Sequence, residues 1–172
     1  STMIQILMLD QALFYPNISC GVIAQWLNES KAIFDNKIKF AYNNLPEWLK
    51  AERTLLKDSS DTLEFNNGSS IYVSVSFRSG TLQYLHISEY GKICAKFPER
   101  AKEINTGATE SVAQWGYVFI ESTAEGKQGD FYDKTIEAQK LKSEWKVLNP
   151  LEYKFFFFAW HEVEEYRVYD DH

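Results

Sequence analysis

A glutamate stands at the end of an apolar run, at the point where a buried strand would stop. The stretch "LQYLHISEYGKI" runs through the apolar segment Leu82–Ile87 and then meets Ser88 and Glu89. Burying a carboxylate costs a large desolvation free energy, so an acid here must face water or a ligand. In open α/β sheets, ligands bind just beyond the carboxyl ends of the strands. Glu89 is therefore the first candidate for chemistry.

A second apolar run ends in the same way. The stretch "GYVFIEST" (Gly116–Thr123) has the pattern of another buried strand, and it closes with Glu121, Ser122 and Thr123. If the two strands are neighbours in a parallel sheet, their polar ends meet in one crevice. A different chemistry also stays open, in which Glu89 and Glu121 act as a general acid and base, one with a raised pKa.

Helical and strand patterns alternate along the rest of the chain. Apolar spacing predicts a helix over Ser1–Phe14, and the run Ile18–Gln25 predicts a buried strand. Asn67-Gly68 between two alternating segments predicts a β-hairpin. This order implies an α/β, three-layer fold: a mainly parallel sheet with helices on both faces and an added antiparallel hairpin. The remaining expected elements are a helix from about Asn28 to Pro46, a strand over Leu82–Ser88, a helix within Ala95–Asn105, a helix over Phe131–Trp145, and a last strand over Tyr153–Trp160 with Phe155–Phe158 in the core.

The composition suits one globular domain and argues against several classes of function. The 172 residues carry a net charge of −6, and 45% of them are apolar. An acidic balance disfavours a free-standing, non-specific nucleic-acid binder, which needs surplus Lys and Arg. No apolar run reaches the roughly 18–20 residues that a membrane helix needs. Cys20 and Cys94 form no metal-ligand pattern, so they are interpreted as reduced core residues rather than a zinc site.

The order of four short motifs resembles the ATPase (motor) domain of the large terminase subunit of tailed bacteriophages. The motifs are "ST" at a helix start, "NGSSI" leading to "SFRSG", "LHISEYG", and "VFIESTAEG". The resemblance runs from Ser1 to about Tyr169. It implies a P-loop ATPase whose Walker A loop, GxxxxGK followed by Ser or Thr, feeds a helix. Ser1 and Thr2 resemble the residues after Gly-Lys, so the chain is expected to be truncated within that loop; a helix cap or a cloning scar remains the alternative.

The resemblance also implies roles for residues at the strand ends. Glu89 corresponds to the catalytic glutamate of the Walker B motif, which orients or activates the water that attacks the γ-phosphate. Ser1 takes the place of a magnesium ligand, and Ser88 stands where the family usually has an aspartate that holds magnesium through water. Arg78 corresponds to a candidate arginine finger that reaches the ATP of a neighbouring subunit; a surface arginine paired with a local acid is the alternative. Ser122 and Thr123 resemble the coupling motif that senses the γ-phosphate.

Cofactors, partners and location follow from the same resemblance. The full-length protein is expected to use ATP and Mg²⁺ to drive double-stranded DNA into the procapsid. Its expected partners are the portal protein, the small terminase subunit and neighbouring large-subunit copies in a ring, in the host cytoplasm and without a membrane. One domain over residues 1–172 is expected, with the family's nuclease domain following His172 and so absent from this chain. Without a complete phosphate loop, this fragment should bind and hydrolyse ATP poorly.

Two other functions remain open at the level of sequence. A helicase-type P-loop motor would share the nucleotide motifs but should carry further motifs in a second, similar domain. A non-enzymatic or degenerate assembly module would keep the sheet and lose catalysis, and Ser88 in place of the usual aspartate favours it slightly.

Overall fold

Two compact units make up the described part of the chain. The computed structural model describes residues 1–26, 28, 31–32, 34–76 and 80–159. The first unit covers Ser1–Phe131, and the second begins at Tyr132. All strands of the sheet and all the strand-end candidates among the described residues belong to the first unit.

A six-stranded mixed sheet forms the centre of the first unit. Its strands are β1 Ser19–Ile23, β2 Leu55–Asp58, β3 Thr62–Phe65, β4 Ser70–Ser74, β5 Leu82–Ser88 and β6 Val112–Glu121. The strand order is β2-β3-β4-β1-β5-β6. Strands β4, β1, β5 and β6 are parallel, whereas β2 and β3 pair in antiparallel fashion at one side. The predicted α/β fold with an added antiparallel hairpin is therefore confirmed.

Helices follow or precede most of the strands. They are α1 Thr2–Phe14, α2 Phe40–Asn43, α3 Glu47–Glu52, α4 Tyr90–Lys96, α5 Pro98–Glu103 and α6 Asp130–Ser143. Two short π-helical segments, Phe34–Lys39 and Ile104–Ala108, lie directly before α2 and after α5. None of the described helices is both long and apolar enough to span a bilayer.

Side-chain alternation along the strands sorts the core into two clusters on opposite faces of the sheet. In one cluster, Met8 of α1 packs with Val22 of β1 and with Phe34. In the other, Ile87 of β5 packs with Ile93 of α4, together with residues of α5 and the segment after it. Since apolar burial stabilises by about 25 cal/mol per Å², this two-sided packing holds the parallel strands in place.

The hairpin between β3 and β4 turns where the sequence predicted it. Gly68 has φ +82°, a left-handed conformation that glycine adopts without strain. A Cβ there would lie 2.4 Å from Asn17 Oδ1, so the position requires glycine for space as well. The Asn67 amide donates hydrogen bonds to the carbonyls of Ala12 and Tyr15, which ties the hairpin to the end of α1.

One predicted element was wrong, and another differs in extent. The helix expected within Ala95–Asn105 is present as α5, but helical structure already begins at Tyr90 and breaks at Phe97, because a proline disfavours helical backbone at the residue before it. No strand forms over residues 153–159, and Phe156, Phe157 and Phe158 are exposed rather than in the core. An apolar run becomes a buried strand only when other backbone pairs with it, and no described strand does so here. Trp160 lies outside the described residues.

Candidate functional site at the strand ends

Three parallel strands end side by side at one edge of the sheet. Ile23 of β1 is in register with Ile87 of β5, and Ser88 of β5 is in register with Glu121 of β6. The residues that follow these strands therefore lie at the same edge of the sheet. Both polar strand ends singled out in the sequence lie at this edge.

A hydrogen-bonded cluster occupies the end of β5 and β6. Ser88 Oγ donates to Glu121 Oε1 at 2.7 Å, and His86 Nε2 lies 3.3 Å from the same oxygen. His86 is fully buried and Ser88 is 2% exposed, while the Glu121 side chain keeps 30% of its surface exposed. A carboxylate thus projects from the buried end of β5 and β6 towards the crevice.

The surroundings of Glu121 favour its charged form. Burial alone would raise the pKa of Glu121, but hydrogen bonds from His86 and Ser88 outweigh it, and the pKa falls to about 2. Burial lowers the pKa of His86 below its usual value, although Glu121 opposes that shift. At neutral pH the pair is accordingly a carboxylate that accepts a hydrogen bond from a neutral imidazole. The proton is assigned to Nε2 because the carboxylate needs a donor there.

Glu89 occupies the turn between β5 and α4 in a left-handed conformation. Its φ is +55° and its ψ is +39°, and its side chain makes no capping hydrogen bond to the helix. A non-glycine residue in this region costs about 1–2 kcal/mol. Glu89 Oε2 forms an ion pair with Lys92 Nζ at 3.1 Å. Backbone strain of this kind clusters at functional sites, so the conformation agrees with a role for Glu89 at the crevice.

The start of α1 lies beside the end of β6. The backbone nitrogen of Ser1 is 4.0 Å from Glu121 Oε1, and Lys37 Nζ donates a hydrogen bond to Ser1 Oγ. Thr2 is the first residue of α1 and is exposed. Ser1, Ser88 and Glu121 are far apart in sequence and meet here.

The segment after β6 packs against α4. Ser122 Oγ is buried and has no hydrogen-bond partner among the described residues, whereas Thr123 is exposed. A Cβ on Gly91 would lie 2.8 Å from Ser122 Oγ and 3.1 Å from the Thr123 carbonyl oxygen. Gly91 therefore allows the helix after Glu89 to approach the residues after Glu121. A buried hydroxyl without a hydrogen-bond partner is unusual in a folded protein and costs free energy.

Arg78 lies outside the described residues, so its predicted role as an arginine finger stays a prediction. A different arginine holds the neighbouring strand ends. The guanidinium of Arg100 donates to the carbonyl oxygens of Ala24, Gln25 and Val75, which follow β1 and β4. Burial lowers the pKa of Arg100. Arg100 thus ties together the backbone segments that follow β1 and β4.

His86, Arg100 and the Ser88–Glu121 bond were not predicted from the sequence as parts of this site. A histidine on an otherwise apolar strand was the only available signal for His86, since a buried imidazole needs a polar partner. Arg100 gave the signal of an ordinary charged helix residue. Glu121 was predicted to lie at the converging strand ends and was weighed as half of an acid–base pair, but its bond to Ser88 was not predicted.

The oxygen atoms at this edge fit magnesium better than a transition metal. Mg²⁺ prefers hydroxyl, carboxylate, water and phosphate oxygens and binds few protein ligands. Ser1, Ser88 and Glu121 offer such oxygens at this edge of the sheet. Within the described ranges, no cluster of three or more His, Cys, Asp or Glu side chains could hold a metal ion on its own. A magnesium ion here would need nucleotide phosphates to complete its shell.

Comparison with known proteins gives a structural likeness. No family model and no curated protein matches the chain. Solved structures do, and one of them is the large terminase ATPase domain of Thermus phage P74-26. The two structures superpose with a TM-score of 0.51 at 13% sequence identity, over 77% of this chain and 58% of that chain. The chain thus has an α/β fold similar to that domain and spans less than two thirds of it.

Proposed function

We propose that this chain is the ATPase core of a large terminase subunit of a phage or prophage. The full-length protein would hydrolyse ATP with Mg²⁺ and drive double-stranded DNA into the procapsid. The convergence of Glu89, the Ser88–Glu121 pair and the start of α1 at one edge of the sheet carries this proposal. The fold likeness to the phage domain supports it.

The phosphate loop would come from residues before Ser1. Two features support that placement. The start of α1 lies at the carboxyl end of β6, and β6 pairs only with β5 among the described strands. A strand added at the open edge of β6 could run parallel to it and lead through a loop into α1. Phosphate groups would then meet the amino end of α1, where backbone N–H groups and the helix dipole favour anions. Ser1 and Thr2 would lie at the phosphates.

Glu89 is the residue we assign to the reaction. Its half-buried side chain follows β5, and among the described residues its carboxylate forms an ion pair with Lys92 through Oε2, which is itself buried. Such a carboxylate can accept a proton from the attacking water or hold it in line with the γ-phosphate. Bound Mg²⁺ would neutralise charge on the β- and γ-phosphates. Lys37 and Lys92 place two cations near the same edge.

Coupling and assembly remain parts of the proposal. Ser122 and Thr123 would exchange hydrogen bonds when the γ-phosphate leaves, and Arg78 would act on the nucleotide of a neighbouring subunit. The portal protein, the small terminase subunit and further large-subunit copies would be the partners of the complete motor. Contacts with DNA would go to the phosphate backbone and would not depend on base sequence.

The acid–base alternative cannot use Glu121 as its general acid. A general acid needs a pKa raised towards neutrality, but the hydrogen bonds of Glu121 lower its pKa to about 2. One observation supports the alternative of a degenerate assembly module: Ser88 stands where the family usually has an aspartate. A helicase-type motor would share the same site and would differ in its DNA-contact motifs.

Magnesium-dependent ATP hydrolysis by the full-length protein tests the proposal. We expect Glu89→Gln to lower the hydrolysis rate about 10²–10⁴-fold, because the amide cannot accept the proton of the attacking water. ATP binding should persist in this variant. Glu99→Gln, an exposed change on α5, serves as the matched control and should keep the wild-type rate. Absence of ATP hydrolysis in a folded wild type, with and without portal and DNA, would instead favour the assembly module.

A further inference from the structure

The end of β5 lacks the acid that P-loop enzymes ordinarily use to hold magnesium. In that class, a Ser or Thr of the phosphate loop and an aspartate at the end of the Walker B strand hold the ion. Here the residue at the strand end is Ser88, and the next residue, Glu89, is already assigned to the attacking water. If the proposed function is correct, a carboxylate must come from another place or the ion must be held weakly.

The geometry places one carboxylate against Ser88. Glu121 is the residue in register with Ser88 on the adjacent strand, and Oε1 accepts the Ser88 hydroxyl hydrogen bond at 2.7 Å. The start of α1 is close as well, since the Ser1 backbone nitrogen lies 4.0 Å from the same carboxylate. We infer that Glu121 supplies the carboxylate of the magnesium site, with Ser88 and His86 holding it in position. This inference rests on the proposed function and names a residue that the family resemblance did not assign to the metal.

The two oxygens of Glu121 have different surroundings. The contacts from Ser88, His86 and Ser1 all go to Oε1, and Oε2 accepts no hydrogen bond from the described residues. The side chain is partly exposed, so one oxygen anchors the carboxylate to the sheet while the other remains available. A carboxylate held in this way suits an ion that keeps several of its waters, because it can bind a metal-bound water without displacing it.

The hydrogen bonds around Glu121 agree with this role. Ser88 Oγ donates to Oε1, and His86 Nε2 lies 3.3 Å from the same oxygen. His86 binds through one nitrogen only; its Nδ1 is buried and has no partner among the described residues. An arrangement of this kind, in which a histidine and a hydroxyl orient a carboxylate, resembles the outer-shell hydrogen bonds that orient metal ligands in proteins.

A purely structural cluster is the competing explanation. Ser88, His86 and Glu121 could satisfy one another's hydrogen bonds and hold β5 against β6 without any ion. Substitution of Glu121 would then change stability but not metal affinity. The two explanations therefore differ in a measurement that does not depend on turnover.

The experiment measures Mn²⁺ binding to the full-length protein in the presence of ADP, with Mn²⁺ as a paramagnetic substitute for Mg²⁺. Free Mn²⁺ is followed by electron paramagnetic resonance, and ADP binding in EDTA is measured separately by calorimetry. We expect Glu121→Gln to weaken Mn²⁺ binding about 10–100-fold and to leave metal-free ADP binding unchanged. Glu110→Gln is the control. Glu110 is exposed and precedes the amino end of β6, so this variant should bind Mn²⁺ as the wild type does.

A second variant moves the carboxylate back to β5. The double variant Ser88→Asp/Glu121→Gln removes the carboxylate from β6 and adds one at position 88 of β5, where P-loop enzymes usually have an aspartate. We expect this double variant to recover most of the Mn²⁺ affinity that Glu121→Gln loses, whereas a structural cluster predicts no recovery. If Glu121→Gln fails to fold, Glu121→Ala replaces it, since it also removes the carboxylate, and wild-type Mn²⁺ affinity in folded Glu121→Ala overturns the inference in the same way.

The outcomes separate the inference from the proposed function. Wild-type Mn²⁺ affinity in folded Glu121→Gln overturns the inference and leaves the ATPase proposal in place. No ADP binding by the wild type, with or without Mn²⁺, overturns both. A loss of Mn²⁺ affinity with ADP binding retained, and its recovery in the double variant, supports both.

Discussion

At the scale of single residues, the site depends on conformations and contacts that oppose stability. Glu89 takes a left-handed backbone conformation next to a partly buried ion pair with Lys92. Ser122 keeps a buried hydroxyl without a hydrogen-bond partner among the described residues. Each feature costs free energy of folding, and such costs are commonly retained where they serve function.

The strain at Glu89 gives a prediction that reverses the usual order of helix propensity. Alanine normally stabilises a helical position over glycine by about 1 kcal/mol. At φ +55° the order should invert, so Glu89→Gly should be more stable than Glu89→Ala by about 1 kcal/mol, because glycine carries no Cβ penalty there. Urea unfolding of the two variants measures the difference. Both variants lose the Lys92 ion pair, so the comparison isolates the backbone.

A Glu89→Ala variant that is more stable than the Glu89→Gly variant would contradict the left-handed conformation at this turn. Neither variant should hydrolyse ATP, because both remove the carboxylate. A more stable Glu89→Gly that has lost hydrolysis would show stability and function in opposition at one residue.

At the scale of elements, side-chain contacts connect the strand ends in addition to the backbone hydrogen bonds of the sheet. Arg100 of α5 crosses to the carbonyls that follow β1 and β4, and the Gly91 position lets α4 lie against the segment after β6. The crevice is therefore bordered by helices fixed to strand ends. The short β2 was not predicted, since its exposed "LLKD" has no apolar alternation and it forms only by pairing with β3.

Loss of Arg100 should loosen the ends of β1 and β4. Hydrogen bonds from a charged donor contribute about 1.5–3 kcal/mol, and truncation leaves part-buried carbonyls without their donor. We therefore expect Arg100→Ala to lower the free energy of unfolding by about 2–3 kcal/mol in urea titrations. Lys102→Ala, on an exposed position of the same helix, should change it by less than about 0.5 kcal/mol. Equal effects of the two substitutions would argue against the Arg100 contacts.

At the scale of the whole molecule, the first unit has a continuous core on both faces of its sheet. Cys20 of β1 lies at the centre of one face, fully buried, and burial raises its pKa to about 12. Cys94 lies on α4 and is half-buried. The two free thiols therefore report different events, since Cys20 reaches solvent only when the sheet opens.

Thiol labelling can measure global opening of this unit. In a Cys94→Ala variant at pH 8, we expect Cys20 to resist a disulfide reagent, because the thiolate is the reactive form and burial suppresses it. With added urea, the labelling rate should rise in step with unfolding followed by circular dichroism. A Cys20→Ala variant, with only Cys94 left, is the control: Cys94 is half-buried and burial raises its pKa too, but it should react in the native state faster than Cys20 does. Rapid native labelling of Cys20 would contradict a closed core.

The sequence by itself determined the class of fold and the direction in which the site faces. Periodicity and turn residues are local properties, so α1, the β3–β4 hairpin and the polar ends of β5 and β6 could be predicted from them. Glu89 directly follows a predicted buried strand, so the sequence also predicted that it lies at the carboxyl edge of the sheet. The roles of Ser1, Thr2, Ser88, Glu89, Ser122, Thr123 and Arg78 remain predictions that the experiments above address.

Only the tertiary structure decided which side chains meet. The pairing of Ser88 with Glu121 depends on the register between β5 and β6, which shifts between Leu82 and Tyr84 and cannot be read from either strand alone. His86 and Arg100 acquire their roles from partners distant in the sequence. Phe156–Phe158 show the converse, since an apolar run needs a paired neighbour before it becomes a buried strand, and hydrophobicity alone does not provide one.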